Sequence, residues 1–296
     1  MENVKPIVEI DPSAGFCSGV KRAIKAAEDL LQDNEELNCL GDIVHNEAEI
    51  ERLNKLGMSV LNKDKLKSLK ADSQVMIRAH GEPPDTYKNL KEIRAKVTDA
   101  TCPVVTRLQL KVKQASDEMN GVNGLVVIFG KPGHPEVLGL LGNTDGNAVV
   151  VSAKEQLNPI DVARPLRIFA QTTADIAAYN AFCDEILVRA ENATGVKPDI
   201  EINQSICQQV SRRGPGIEKF ARSHDVIIFV SGSESSNGKY LSGISKSVNP
   251  QTYIITGIGQ IKKGWLTEAA SIGISGATST PEWLMKQIAE EIKAMF

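Results

Sequence analysis

Residues 96–118 read KVTDATCPVVTRLQLKVKQASDE. A β-branched run stops at Asp99-Ala100-Thr101, one cysteine follows, and Pro103 opens a helical pattern. Proline suits a first helical turn, where its missing N–H has no partner to lose. The same sequence of events occurs twice more. IVEIDPSAGFC (7–17) leads into SGVKRAIKAAEDLL, and IEINQSIC (200–207) leads into QQVSRRGPGIEKFARS. Each is a strand, a polar turn, a cysteine and a helix. The cysteines, Cys17, Cys102 and Cys207, lie 85 and 105 residues apart. Three α/β modules of similar size are the simplest reading, spanning 1–101, 102–203 and 204–296. A pseudo-threefold arrangement would bring the three thiols to one centre.

The rest of the chain carries the alternation on. Strand patterns are expected at 6–10, 37–44, 73–79, 96–100, 124–130, 147–152, 165–171, 199–203, 225–231, 252–257 and 271–275. Helical three- and four-residue spacing is clear at 18–31, 47–56, 174–190 and 281–295. Strands alternating with helices imply mainly parallel sheets covered on both faces. The 296 residues carry a net charge of −3 and only 4% aromatic residues, which points away from nucleic acid. No apolar run reaches the ~20 residues that a membrane span needs, and no signal peptide is evident. A cytoplasmic protein is expected. Five dispersed cysteines without a CxxC pair do not form a disulfide framework.

In parallel α/β sheets, ligands bind beyond the carboxyl ends of the strands. The polar residues falling there are Cys17, His45, His80, Cys102, His134, Glu136, Thr172, Thr173, Cys207, Ser235, Ser236, Asn237 and Ser279. Three of four histidines and three of five cysteines are among them. Cys39, inside a strand, and Cys183, on an apolar helix face, read as core. A thiol at a helix N-terminus favours thiolate, the metal-binding form. Three thiolates suit zinc with one open position, or an iron–sulfur cluster with one iron lacking a protein ligand. GSESSNGK (232–239) offers hydroxyls, an amide and free N–H groups to a phosphate, although it lacks the GxxxxGK[ST] frame. In His134-Pro135-Glu136 an acid stands two residues from an imidazole, a pair able to move protons.

The strings AGFCSGVKRAI (14–24), GDIVHNE (41–47), RAHGEPP (78–84), DATCPVV (99–105), GKPGHPEVLGLLG (130–142), QTT (171–173), SIC (205–207), SSNGKYL (235–241) and GATSTPEWL (276–284) together resemble the LytB family of 4-hydroxy-3-methylbut-2-enyl diphosphate reductases. The resemblance covers nearly the whole chain. It implies three α/β domains around a central cavity holding a 4Fe–4S cluster. It also implies reductive dehydroxylation of an allylic diphosphate to isopentenyl and dimethylallyl diphosphates, the last step of the non-mevalonate isoprenoid pathway. By motif, Cys17, Cys102 and Cys207 would ligate the cluster, and its fourth iron would stay open to substrate. His45, His80, His134, Thr172, Ser235, Ser236, Asn237 and Ser279 would bind substrate. Glu136, His134 and Thr172 would be catalytic. Electrons would come from ferredoxin or flavodoxin. Two strings depart from the commonest family form: QQVSRRGPG after Cys207, and SGATSTP near the end. The residues alone leave three other readings open: a three-cysteine zinc hydrolase, an iron–sulfur redox sensor and a non-catalytic diphosphate-binding module.

Overall fold

The computed structural model describes residues 5–34, 36–157, 160–195 and 199–296. In chain order the elements begin with β1 (Ile7–Ile10), α1 (Ser18–Asp33), β2 (Leu37–Leu40), α2 (Glu47–Lys55), β3 (Met58–Leu61), β4 (Gln74–Ile77), α3 (Pro84–Glu92) and β5 (Lys96–Asp99). Next come α4 (Pro103–Gly121), β6 (Leu125–Phe129), α5 (Pro135–Leu141), β7 (Ala148–Val151), β8 (Leu166–Ala170), α6 (Ile176–Thr194) and β9 (Ile200–Ile202). The last are α7 (Gln208–Ser211), α8 (Arg213–Arg222), β10 (Val226–Val230), α9 (Ser236–Val248), β11 (Thr252–Ile255), β12 (Ser271–Gly276) and α10 (Glu282–Lys293). Among the described residues, no helix is long and apolar enough to cross a membrane.

The strands form three four-stranded sheets, ordered β3-β2-β4-β5, β7-β6-β8-β9 and β11-β10-β12-β1. In β2-β4-β5, β7-β6-β8-β9 and β11-β10-β12-β1 the strands pair in parallel. The three orders are one topology repeated. The chain steps outward from the first strand, then crosses back to the other side. This creates a switch point between β2 and β4, between β6 and β8, and between β10 and β12. The repeat starts at β2, and the third sheet takes its fourth strand, β1, from the start of the chain. Contacts group the residues into two compact units. One holds residues up to Leu37, Asp42–Val60 and Gln208–Phe296; the other holds Asn38–Gly41 and Leu61–Cys207.

Central strands show why the chain folds in layers. All five residues of β6 are buried, and they alternate between two cores. Leu125, Val127 and Phe129 pack with Tyr179, Phe182 and Ile186 of α6. Val126 and Ile128 pack with Leu108, Val112 and Met119 of α4. In β10, Val226, Ile228 and Val230 face Leu284, Met285 and Ile288 of α10. Ile227 and Phe229 face Ile217 of α8 and Leu241 of α9. A strand covered on both sides reads as a continuous apolar run, as these two do.

Three local expectations shift. The run 37–44 stops as a strand at Leu40, because Gly41 turns at φ +67° and its bare Cα lies under the Arg78 guanidinium. A Cβ there would stand 2.5 Å from Arg78 Nη1. The helix expected after Cys207 is divided at Arg212 into α7 and α8. β3 was not among the expected strands; it is four residues long with two exposed central positions.

Phe182 stacks tilted against Phe129 with centroids 5.1 Å apart and is fully buried. Phe182→Ala is expected to cost about 3–5 kcal/mol of stability, read as a lower urea midpoint. A loss below about 1 kcal/mol would contradict this packing.

Candidate active site

Each of the three cysteines follows an edge strand: Cys17 after β1, Cys102 after β5 and Cys207 after β9. In each case the cysteine N–H donates to a carbonyl two residues beyond the end of the neighbouring strand. Cys17 bonds Thr278 at 3.2 Å, Cys102 bonds Ala79 at 3.0 Å and Cys207 bonds Thr172 at 2.9 Å. The thiols then stand at the starts of α1, α4 and α7, half-buried. The thiols of Cys17 and Cys102 do not cap their own helices. Cys39 and Cys183 are buried in the cores instead, and burial pushes the Cys183 thiol up to about 11. The structure thus separates three presented thiols from two packed ones.

A second regularity lies on the other side of each switch point. Five residues beyond the ends of β2, β6 and β10 stand His45, His134 and Ser235. In the first unit, Ser235 caps α9 by accepting the Gly238 N–H at 3.0 Å. Its hydroxyl shares a 3.2 Å bond with Ser279, whose hydroxyl also lies 3.3 Å from the His45 carbonyl. The Asn237 side chain is turned by its Oδ1, which accepts the Thr278 N–H at 2.8 Å. Its Nδ2 is left buried with no partner. Ser236 is half-buried in the first turn of α9. Hydroxyls, an amide donor and a helix N-terminus here converge, which suits an anion, while the Glu47 carboxylate is taken up by Ser233 N and Oγ at 3.2 and 2.9 Å.

The second unit gathers His80, His134, Glu136 and Thr172. The His80 and His134 rings meet edge to face, centroids 5.3 Å apart. His134 caps α5: its Nδ1 accepts the Glu136 N–H at 3.2 Å, so a neutral ring carries its proton on Nε2. Glu136 is 1% exposed. Its Oε1 accepts the Thr172 N–H at 2.6 Å, and its Oε2 lies 2.7 Å from the Thr172 hydroxyl. Burial raises the Glu136 pKa, against the lowering effect of these two bonds. A protonated Glu136 can donate to Thr172 Oγ1, which frees the threonine proton to point onward.

Some neighbours were not singled out from sequence. Asp11, buried at the end of β1, accepts from Ser13 N and Oγ at 2.8 and 2.7 Å and from Ser275 Oγ at 2.7 Å. Asp99 makes the matching turn by accepting the Thr101 N–H at 2.9 Å. The shared Asp-x-Ser/Thr spacing before a cysteine is the signal that could have found them. Gln171 has no such signal. Its Oε1 accepts the Lys131 N–H at 3.0 Å, and its Nε2 donates to Thr173 at 2.9 Å.

The family model described as LytB protein matches residues 8–293. A 4-hydroxy-3-methylbut-2-enyl diphosphate reductase of Bacteroides fragilis is 44% identical over 289 residues, 97% of each chain. The enzyme of the same name from Porphyromonas gingivalis is 43% identical, covering 97% of this chain and 99% of its own. A solved structure of (E)-4-hydroxy-3-methyl-but-2-enyl diphosphate reductase, titled the terminal enzyme of the non-mevalonate pathway, superposes with a TM-score of 0.71. It is 32% identical, over 97% of this chain and 99% of that one.

The raised Glu136 pKa has a thermodynamic consequence. Its stabilising contribution is complete below the unfolded-state value of about 4.3 and is lost as pH rises through the folded value. Glu136→Gln, which mimics the protonated acid, lacks this slope. Urea midpoints from pH 4 upward are expected to show the wild type losing stability relative to the variant. Parallel curves would contradict a raised pKa.

Proposed function

The chain belongs to the LytB family, and we propose that it catalyses the reaction for which its curated relatives are named, the reduction of 4-hydroxy-3-methylbut-2-enyl diphosphate. The C–O bond of the allylic alcohol breaks, the oxygen leaves as water with one added proton, and two electrons and a second proton complete the product. The products are isopentenyl and dimethylallyl diphosphates, made at the end of the non-mevalonate route. The observation that carries the reading is the place of Thr172. It pairs with the buried acid Glu136, and its carbonyl holds the N–H of Cys207. A proton carrier is thereby tied to the turn of a candidate iron ligand.

The donor set suits a 4Fe–4S cluster with three protein ligands: three half-buried thiols at helix starts, distinct from two core thiols. Cys17, Cys102 and Cys207 would hold it. When bound, such a cluster supplies single electrons and a Lewis-acidic iron for the substrate hydroxyl. Ferredoxin or flavodoxin would deliver the electrons.

The remaining work falls to the protein. Ser235, Ser236, Asn237 and Ser279 hold the diphosphate with neutral donors and the α9 dipole, joined by His45, His80 and His134. Anchoring that end uses binding energy remote from the reacting carbon to position the hydroxyl. Glu136 stores the proton and Thr172 passes it to the leaving oxygen.

Anaerobic purification and reconstitution, followed by turnover with the allylic diphosphate and a chemical reductant, test this. A brown protein containing iron and sulfide is expected; a colourless zinc protein would reject the reading. Cys102→Ser should lose most of its iron. Glu136→Gln should keep iron and substrate affinity while kcat falls about 10²–10⁴-fold. An unchanged kcat would remove Glu136 from the mechanism.

A further inference from the structure

We propose that Asn46 is a second amide donor to the diphosphate, a partner to Asn237. The inference rests on the reading that the Ser235–Ser279 cradle takes this anion. Both asparagines are almost wholly buried, at 1% and 3% exposure. Both have their amide oxygen occupied by a backbone N–H, Asn46 by Glu49 at 3.0 Å and Asn237 by Thr278 at 2.8 Å. The occupied oxygen fixes the plane of each amide, and each Nδ2 is left buried without a partner. Asn249, another buried asparagine of the same unit, shows the ordinary arrangement. Its Nδ2 donates to the carbonyls of Ala221 and His224 at 3.0 and 2.8 Å. Buried amide donors are seldom left open, because water is lost without a replacement.

Helix capping does not account for the amide. Asn46 caps α2 through Oδ1 alone. Aspartate would cap equally well and leave no buried donor unpaired. What remains to be explained is the NH₂ group.

Packing places the backbone of Asn46 against the loop of the cradle. A Cβ on Gly232 would stand 2.1 Å from the His45 carbonyl oxygen and 3.1 Å from the Asn46 Cα. The backbone around His45 and Asn46 is therefore pressed onto the loop that leads to Ser235. The His45 carbonyl also lies within reach of the Ser279 hydroxyl, which in turn meets Ser235. From behind, the α2 residue Glu49 is held by Trp283 Nε1 at 2.7 Å and by two nitrogens of Arg52 at 2.6 and 3.0 Å. Asn46, one residue from His45, is thus held by its backbone against the Gly232 loop and by its Oδ1 on the first turn of α2.

The test is calorimetric titration of inorganic diphosphate into the reconstituted full-length protein. Wild type, Asn46→Asp, Asn46→Ser and Asn237→Asp are compared, each with its urea midpoint. Both Asn46 variants keep a capping oxygen, so their midpoints should stay near wild type. Both should bind diphosphate at least tenfold more weakly, and with substrate KM should rise more than kcat falls. Wild-type affinity in Asn46→Ser overturns the proposal, even if Asn46→Asp is weak, because charge repulsion then explains the aspartate. A loss confined to Asn237→Asp overturns the role of Asn46 and leaves the cradle intact. A wild type that does not bind diphosphate overturns the cradle as well.

Discussion

The hydrogen bond from each cysteine's own N–H to the carbonyl beyond the neighbouring strand sets the place of each presented thiol. A parallel sheet ends in a row of backbone groups that the ladder no longer pairs. Here the edge strand turns inward at that point, and the cysteine amide takes the carbonyl that the neighbour has just exposed. The bond satisfies two orphan groups and fixes the Cα of the cysteine. A helix start then follows at once, so the thiol is presented beside a positive dipole end rather than packed into a core. That this happens at Cys17, Cys102 and Cys207, and not at Cys39 or Cys183, makes the presentation of these three thiols a consequence of topology.

The same topology deals out the other polar residues. Each switch point is flanked by two loops. One follows the first strand of the repeat and carries His45, His134 or Ser235; the other follows the third strand and carries His80, Thr172 or Ser279. One fold position is thus filled by an imidazole twice and a hydroxyl once. Repetition supplies the frame, and in the function proposed above the residues on these loops divide the labour between anion binding and proton transfer.

Much of this was legible in the sequence because it is local. The strand, turn, cysteine and helix at 96–118 are set by β-branching, an Asp-x-Thr turn and a proline at the first helical position, all within a few residues of one another. Apolar runs such as 125–129 and 226–230 announce strands buried on both faces. What stayed hidden depends on partners distant in sequence. Nothing in IVEI says that β1 completes the sheet of β10, β11 and β12, since its ladder partner is β12. Likewise the sequence singles out His45 but not its neighbour, and the open amide of Asn46 emerges only once its oxygen and its packing against Gly232 are known. MSVL was too short and too exposed to stand out as β3.

The capture of β1 by the last sheet also orders events during synthesis. Cys102 finds its carbonyl at Ala79, and Cys207 finds its own at Thr172, both already made when the cysteine leaves the ribosome. Cys17 must wait for Thr278, and Asp11 for Ser275, 264 residues further on. At about 5–20 residues per second, that delay is tens of seconds. The partners of Cys102 and Cys207 thus precede them in the chain, whereas the partner of Cys17 is made only when translation has almost reached the last helix. Cys17 is the latecomer of the set, travelling with a nascent chain whose first strand has no sheet to join.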